Sequence, residues 1–174
     1  VKVIEITATP GRLQAASVIA RRSGLEAVVL QSVNCEDRLR TATMARRPMT
    51  VRLVGFDEPQ RPHELADDGR LSVTIQIRAD LYPSSALPEE ADPSDPEISI
   101  TVAYLVVYRL PVPIPEDIAA VSIPAFASLN APLTCWPYIR QMLSCLTAEM
   151  GLLIQPLPLL MVKPEDQRSG PAVD

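Results

Sequence analysis

The chain carries one histidine, His63, and three cysteines, Cys35, Cys135 and Cys145. No two cysteines share a CxxC or other short metal-ligand spacing, and their number is odd. A zinc finger and a disulfide framework therefore find no support. Glycine is scarce, at six residues, and no Gly-rich phosphate loop, GxSxG elbow or HExxH pair occurs. Lysine is confined to Lys2 and Lys163, and the net charge is −5. Nonspecific nucleic-acid binding needs a positive surface that displaces counterions from phosphate, so no nucleic-acid partner is expected. No run reaches the roughly 18–20 consecutive apolar residues of a membrane span. Val1–Pro10 lacks the basic region and apolar block of a secretory leader. With unpaired cysteines, these features point to a cytoplasmic protein without membrane insertion.

What the chain does have is apolar residues, 47% of the total, and eighteen prolines. Its 174 residues suit one domain with a sizeable core. Val1–Thr7 alternates weakly. Leu13–Arg22 has helical composition and is followed by Gly24, a stop signal. Leu25–Cys35 and Met49–Phe56 read as strands, with Val51 and Leu53 on one face. Leu71–Leu81 alternates cleanly: Leu71, Val73, Ile75 and Ile77 face one way, Ser72, Thr74, Gln76 and Arg78 the other. That is the pattern of an antiparallel strand with one wet face. Tyr82–Glu97 holds four prolines and five acids, and reads as a solvated loop. Ile98–Leu110 is apolar at its even positions throughout and, among its odd positions, at Ala103, Leu105 and Val107. Its second face calls for a cover, most simply a partner subunit.

Asn130–Gly151 predicts the main helix, with the stripe Trp136, Ile139, Leu143, Leu146 and Met150 turned to the sheet. Asn130 is expected to cap its start and Gly151 to end it. Glu116–Leu129 has helical character that Pro124 is expected to break. The following LLIQPLPLLMV, with Pro156 and Pro158 inside it, reads as an extended apolar arm. The expected fold is α+β: a four-stranded antiparallel sheet with a main helix on one face, plus a short N-terminal helix. Residues 1–24 are expected to form an N-terminal extension, 25–162 the domain and 163–174 a disordered tail.

Catalysis finds little footing. A dyad of His63 with Cys135 or Cys145 is conceivable on arithmetic alone, yet a cysteine on a helix stripe more often packs as a small hydrophobe. No cofactor or metal is expected, and the chain is not expected to be an enzyme. What remains is apolar surface around the C-terminal helix and arm.

The segment from Asn130 to Arg140, with Trp136-Pro137-Tyr138-Ile139-Arg140 at its centre, continues through Leu143, Thr147, Met150 and Gly151 to Leu157-Pro158-Leu159. It resembles the signature of the SecB family, in which an aromatic-Pro-Tyr-x-Arg segment opens the main helix and a Leu-Pro segment follows. The order of elements from Leu25 to Met161 is similar as well. The resemblance implies an ATP-independent holdase that binds unfolded polypeptides in apolar grooves. SecB itself passes preproteins to the SecA motor; SecB-like relatives protect antitoxins of toxin–antitoxin systems. It further implies a homo-oligomer, a dimer or dimer of dimers. Two departures stand out. The tail after Lys163 lacks the periodicity of SecB's second helix, and the wet sheet face is not strongly acidic, as SecA docking requires. On this resemblance the expected client-binding residues are Val51, Leu53, Phe56, Trp136, Tyr138, Met142, Leu152 and Ile154. Pro137 and Arg140 complete the structural motif with Asn130 and Gly151. Two other readings stand beside it: a non-catalytic interaction module for one dedicated partner, and a small cysteine enzyme.

Overall fold

The computed structural model describes residues 3–37, 47–55, 61–83 and 96–165. In chain order these form β1 (Val3–Ala8), α1 (Pro10–Ala20), β2 (Gly24–Asp37), β3 (Arg47–Val54), β4 (His63–Leu65), β5 (Arg70–Pro83), β6 (Ile98–Arg109), α2 (Glu116–Glu149), β7 (Leu152–Ile154) and β8 (Leu159–Pro164). The class is α+β.

The sheet is larger than the sequence suggests. Six strands lie in the order β2-β6-β5-β3-β7, with β4 pairing the other end of β5 beside β3. The pairings among β2 to β6 are antiparallel, but β3 and β7 run parallel, so the sheet is mixed. A separate parallel ribbon joins β1 to β8. The expected four antiparallel strands thus gain β4, a three-residue edge piece, and β7, the first stretch of the arm. Pro156 and Pro158 do confine the arm to edges: among the described residues β7 pairs β3 alone and β8 pairs β1 alone.

The alternation in β5 and β6 sets the core. Leu71, Val73, Ile75, Ile77 and Leu81 are fully buried, as are Ile98, Ile100, Val102 and Val106 opposite them. All face α2. Asp68-Gly69 makes the turn into β5, and Gly69 has φ +85°, where a side chain is strained. A Cβ there would also meet the Leu110 carbonyl at 2.5 Å.

α2 is one helix of 34 residues, not a broken segment followed by a helix. Asn130 therefore lies mid-helix, and Pro115 occupies the cap position, with Glu116 and Asp117 in the first turn. Acidic residues there complement the helix dipole. Three prolines lie inside α2, Pro124, Pro132 and Pro137, each costing ~3 kcal/mol in an interior position. A ridge at every fourth residue offsets that cost: Ile123, Ala127, Ala131, Cys135, Ile139, Leu143 and Thr147 are all buried. Phe126, Leu129 and Trp136 flank it, also buried, and each large side chain withdrawn from water contributes ~1.5–3 kcal/mol. Phe126 meets Tyr108 edge-on at 4.8 Å. Gly151, at φ +70°, ends the helix as expected, its N–H donating to the Ala148 carbonyl at 3.0 Å.

Contrary to the run-length reading, α2 is long and apolar enough to cross a membrane by length and composition; half of that window is buried inside the fold. The segment expected as an N-terminal extension joins the same core. Thr9 caps α1, accepting from the Arg12 N–H at 3.3 Å. Ile6, Ala8, Ala16 and Ile19 belong to the one hydrophobic cluster.

Candidate functional site

α2 covers β5 and β6 but leaves β2 outside its shelter. In the β2–β6 register, Leu25, Val28, Leu30 and Val33 stand opposite Tyr108, Val106, Tyr104 and Val102, on the helix side of the sheet. Across that one step burial collapses. Val102 and Val106 are fully buried, whereas Leu25, Leu30 and Val33 are 51%, 41% and 39% exposed. The far wall of this trough is Tyr138 of α2, itself 44% exposed. Its ring stands 6.4 Å from that of Tyr104, whose hydroxyl donates to the Tyr138 carbonyl at 3.4 Å. Burial raises the Tyr104 phenol, so it stays a neutral donor. The trough runs along a long strand that, among the described residues, is at the edge of the sheet and pairs with β6 alone. Such an edge invites an added strand.

A second apolar region lies on the other side of α2. Met49, Val51 and Leu53 pair with Pro83, Leu81 and Ala79 and so share the helix-side face of β3. Ile154 of β7 sits beside Met49. From there the arm leaves the sheet. Leu157 is buried, and the Trp136 indole N–H donates to the Pro158 carbonyl at 3.1 Å. Under this crossing is a cavity of about 260 Å³ lined by Met49, Thr50, Val51 and the arm from Gln155 to Pro158.

The expected client-binding residues therefore divide. Val51, Leu53 and Ile154 are half-buried in the arm region, and Tyr138 stands on the trough. Met142 is half-buried on α2. Trp136 and Leu152, at 4% and 7% exposure, are core positions and present no surface to a client in this conformation. Phe56 lies outside the described residues. Of the motif residues, Pro137 is exposed and Arg140 half-buried, both mid-helix. The residues that sequence reasoning passed over are Leu25, Leu30 and Val33. Two register shifts, between Leu25 and Ala27 and between Leu30 and Ser32, break the alternation that would have placed them on one face.

The opposite sheet face is polar over β5, where Asp80 is buried, accepts from the Ser99 hydroxyl at 2.7 Å and pairs with Arg78 at 3.1 Å. It turns apolar at β2 and β6, where Val29, 48% exposed, stands opposite half-buried Leu105, and Ala27 opposite half-buried Val107.

The groups that could do chemistry are scattered. Burial pushes the Cys135 thiol up to about 12, so it is no thiolate at neutral pH. Cys35 and Cys145 are exposed on separate elements. His63 places Nδ1 2.8 Å from the Arg61 carbonyl, at the sheet's β4 edge. Among the described residues, no group of three His, Cys, Asp or Glu could hold a metal.

No family model matches the chain. No curated protein matches it in sequence either. Among solved structures it is similar to a SecB-like chaperone of Mycobacterium tuberculosis in complex with a peptide from an antitoxin, with a TM-score of 0.66 over 87% of this chain and 99% of the other. Sequence identity is 14%, so the likeness is one of architecture. On that architecture the fold of this chain is the SecB-like fold.

Proposed function

We propose that this protein is an ATP-independent holdase that keeps extended, apolar stretches of unfolded polypeptide from aggregating. The observation that carries the reading is the trough: three large apolar side chains of β2, Leu25, Leu30 and Val33, are exposed on the helix side of the sheet, with exposed Tyr138 of α2 standing over Tyr104, the partner of Leu30. Client side chains would fill the trough, and client backbone would pair with the open edge of β2. Burial of apolar surface supplies the free energy, and nothing in the mechanism calls for a cofactor or a reaction. The architecture shared with a chaperone supports the same reading.

Client range separates two versions. The similar chaperone holds an antitoxin peptide, which favours service to one dedicated partner such as an antitoxin over general protein export with hand-over to SecA. The polar β5 face, with Arg78 among its residues, offers no acidic platform for a motor protein. Because β2 is also apolar on its outer face, at Val29, a homo-oligomer built on that face accompanies the proposal; the cytoplasm is the expected compartment.

The test is suppression of aggregation of several unrelated denatured proteins and of an antitoxin, by the protein and by Leu30→Asp with Val33→Asp. Suppression lost in the double variant, with its helical signal intact, supports the trough. Full activity in that variant would move the client site elsewhere, and no activity towards any client would sink the holdase reading.

A further inference from the structure

The ribbon of β1 and β8 has an odd construction. Two-stranded sheets are marginal in water, and parallel pairing is the weaker kind. The ion pair at its surface, Lys163 to Glu5 at 3.3 Å, is exposed and adds little. What holds β1 in place is one row of side chains. Ile4 is half-buried, while Ile6 and Ala8 are buried in the main hydrophobic cluster. Val3, Glu5 and Thr7 face solvent. Among the described residues β1 pairs with β8 alone.

β8, in turn, has contacts of its own with the body: Leu160 and Val162 are half-buried against the main hydrophobic cluster. It continues directly from Pro158, whose carbonyl is held by the Trp136 indole, and from buried Leu157. If β1 left, β8 would remain on the body as an edge strand, with a slot beside it lined by the side chains that Ile6 and Ala8 had covered. That slot accepts an extended segment parallel to β8, with branched apolar residues at two alternate positions and a small residue at the third. β1 itself, Val-Ile-Glu-Ile-Thr-Ala, is such a segment.

We propose that β1 is an internal placeholder for a client strand: an extended apolar polypeptide with apolar residues at alternate positions displaces β1 and pairs with β8. The proposal rests on the holdase reading and adds a second, strand-specific site to the trough. Occupancy by the protein's own strand keeps an otherwise adhesive edge covered until a better-fitting client competes for it. Client affinity is then reduced by the fraction of molecules in which β1 is seated.

The test uses the full chain with exposed Cys35 and Cys145 replaced by serine. Thr7 and Lys163 are register partners with outward side chains, and neighbouring strands lie ~4.8 Å apart, within disulfide reach. Thr7→Cys with Lys163→Cys therefore locks β1 to β8 under oxidation and frees it under reduction. The probe is a fluorescent peptide bearing the sequence of Val3–Ala8, followed by reduced, carboxymethylated α-lactalbumin as an unfolded client. The locked protein is expected to bind the peptide at least tenfold more weakly than the reduced one, and Ile6→Ala, which loosens β1 without a crosslink, to bind it at least threefold more tightly. Equal peptide affinity in the locked and reduced states overturns the placeholder, and the holdase reading survives if α-lactalbumin still binds. An unchanged or weaker affinity in Ile6→Ala overturns it as well. A disulfide that joins two chains instead of closing one assigns the slot to a second copy's β1 and overturns the client assignment. Failure of every form to bind α-lactalbumin and the peptide alike removes the holdase reading, and the placeholder with it.

Discussion

Two neighbouring residues of α2 show how the same helix serves packing and positioning. Cys135 is fully buried on the inner face of α2, and desolvation lifts its thiol to about 12. A raised acid pKa means that the folded state holds the proton longer than the unfolded chain does. Cys135 therefore contributes stability that is complete below the ordinary thiol range and is lost as pH rises from about 9 toward 12. Tyr108, also raised to about 12 by burial and donating to the Thr134 hydroxyl at 2.8 Å, adds loss over the upper part of that window. Melting temperature measured against pH should fall above pH 9, and Cys135→Val should flatten the lower part of the fall; a variant with the same alkaline slope would mean that the thiol carries none of it. Trp136 has the positioning role. Its indole bond to the Pro158 carbonyl fixes the arm over the 260 Å³ cavity. Trp136→Phe keeps most of the ring and removes the donor, and should cost about 1–2 kcal/mol in urea unfolding, since the half-buried carbonyl loses its partner. An effect near zero would show the arm held by Leu157 alone.

At the scale of elements, what was legible follows from how local the signal is. β5 and β6 could be read from their alternation, because each buries one complete row of side chains under α2. β2 could be seen as a strand, but its two bulges scrambled which side chains share a face, so the trough stayed hidden. The pairing of β1 with β8 joins residues at opposite ends of the chain, and nothing in six weakly alternating residues announces a distant partner. α2 was misread at its start for a physical reason: proline forbids helix locally, while the every-fourth-residue ridge from Ile123 to Thr147 rewards it over many turns. Reading Asn130 as a cap followed from trusting Pro124 over that ridge. The prolines differ in what they return. Pro132 is buried and contributes packing, whereas Pro137 is exposed and offers the helix nothing that alanine lacks. Pro137→Ala should accordingly raise stability by about 1–3 kcal/mol, as a missing backbone hydrogen bond is restored. A destabilised variant would show that the ring at 137 shapes the trough beside Tyr138.

The whole molecule leaves one strand with too much to cover. β2 has fourteen residues, an edge that no described strand pairs, and apolar side chains exposed on both faces. A long, apolar edge strand of this kind aggregates unless something occupies it, and the two faces differ in what they can take. The inner face, bordered by α2 at Tyr138, has its exposed side chains in a row along one strand and suits a single extended segment. The outer face carries Val29 beside Leu105, with Ala27 beside Val107, and an apolar patch on a sheet face is the kind of surface a second copy related by a two-fold axis can cover. If the faces divide the work in this way, the two functions separate by mutation. Val29→Lys with Val107→Lys places like charges across the two-fold and should drop the native mass toward one chain, with client bound per chain falling by less than about twofold. Leu30→Asp with Val33→Asp should do the reverse, leaving the mass of the assembly intact and removing client binding. Native mass spectrometry with and without an unfolded client measures both quantities in one experiment. A protein that runs as one chain before any substitution would end the assembly proposal, and an outer-face variant that loses client and assembly together would show that the trough is completed only between copies.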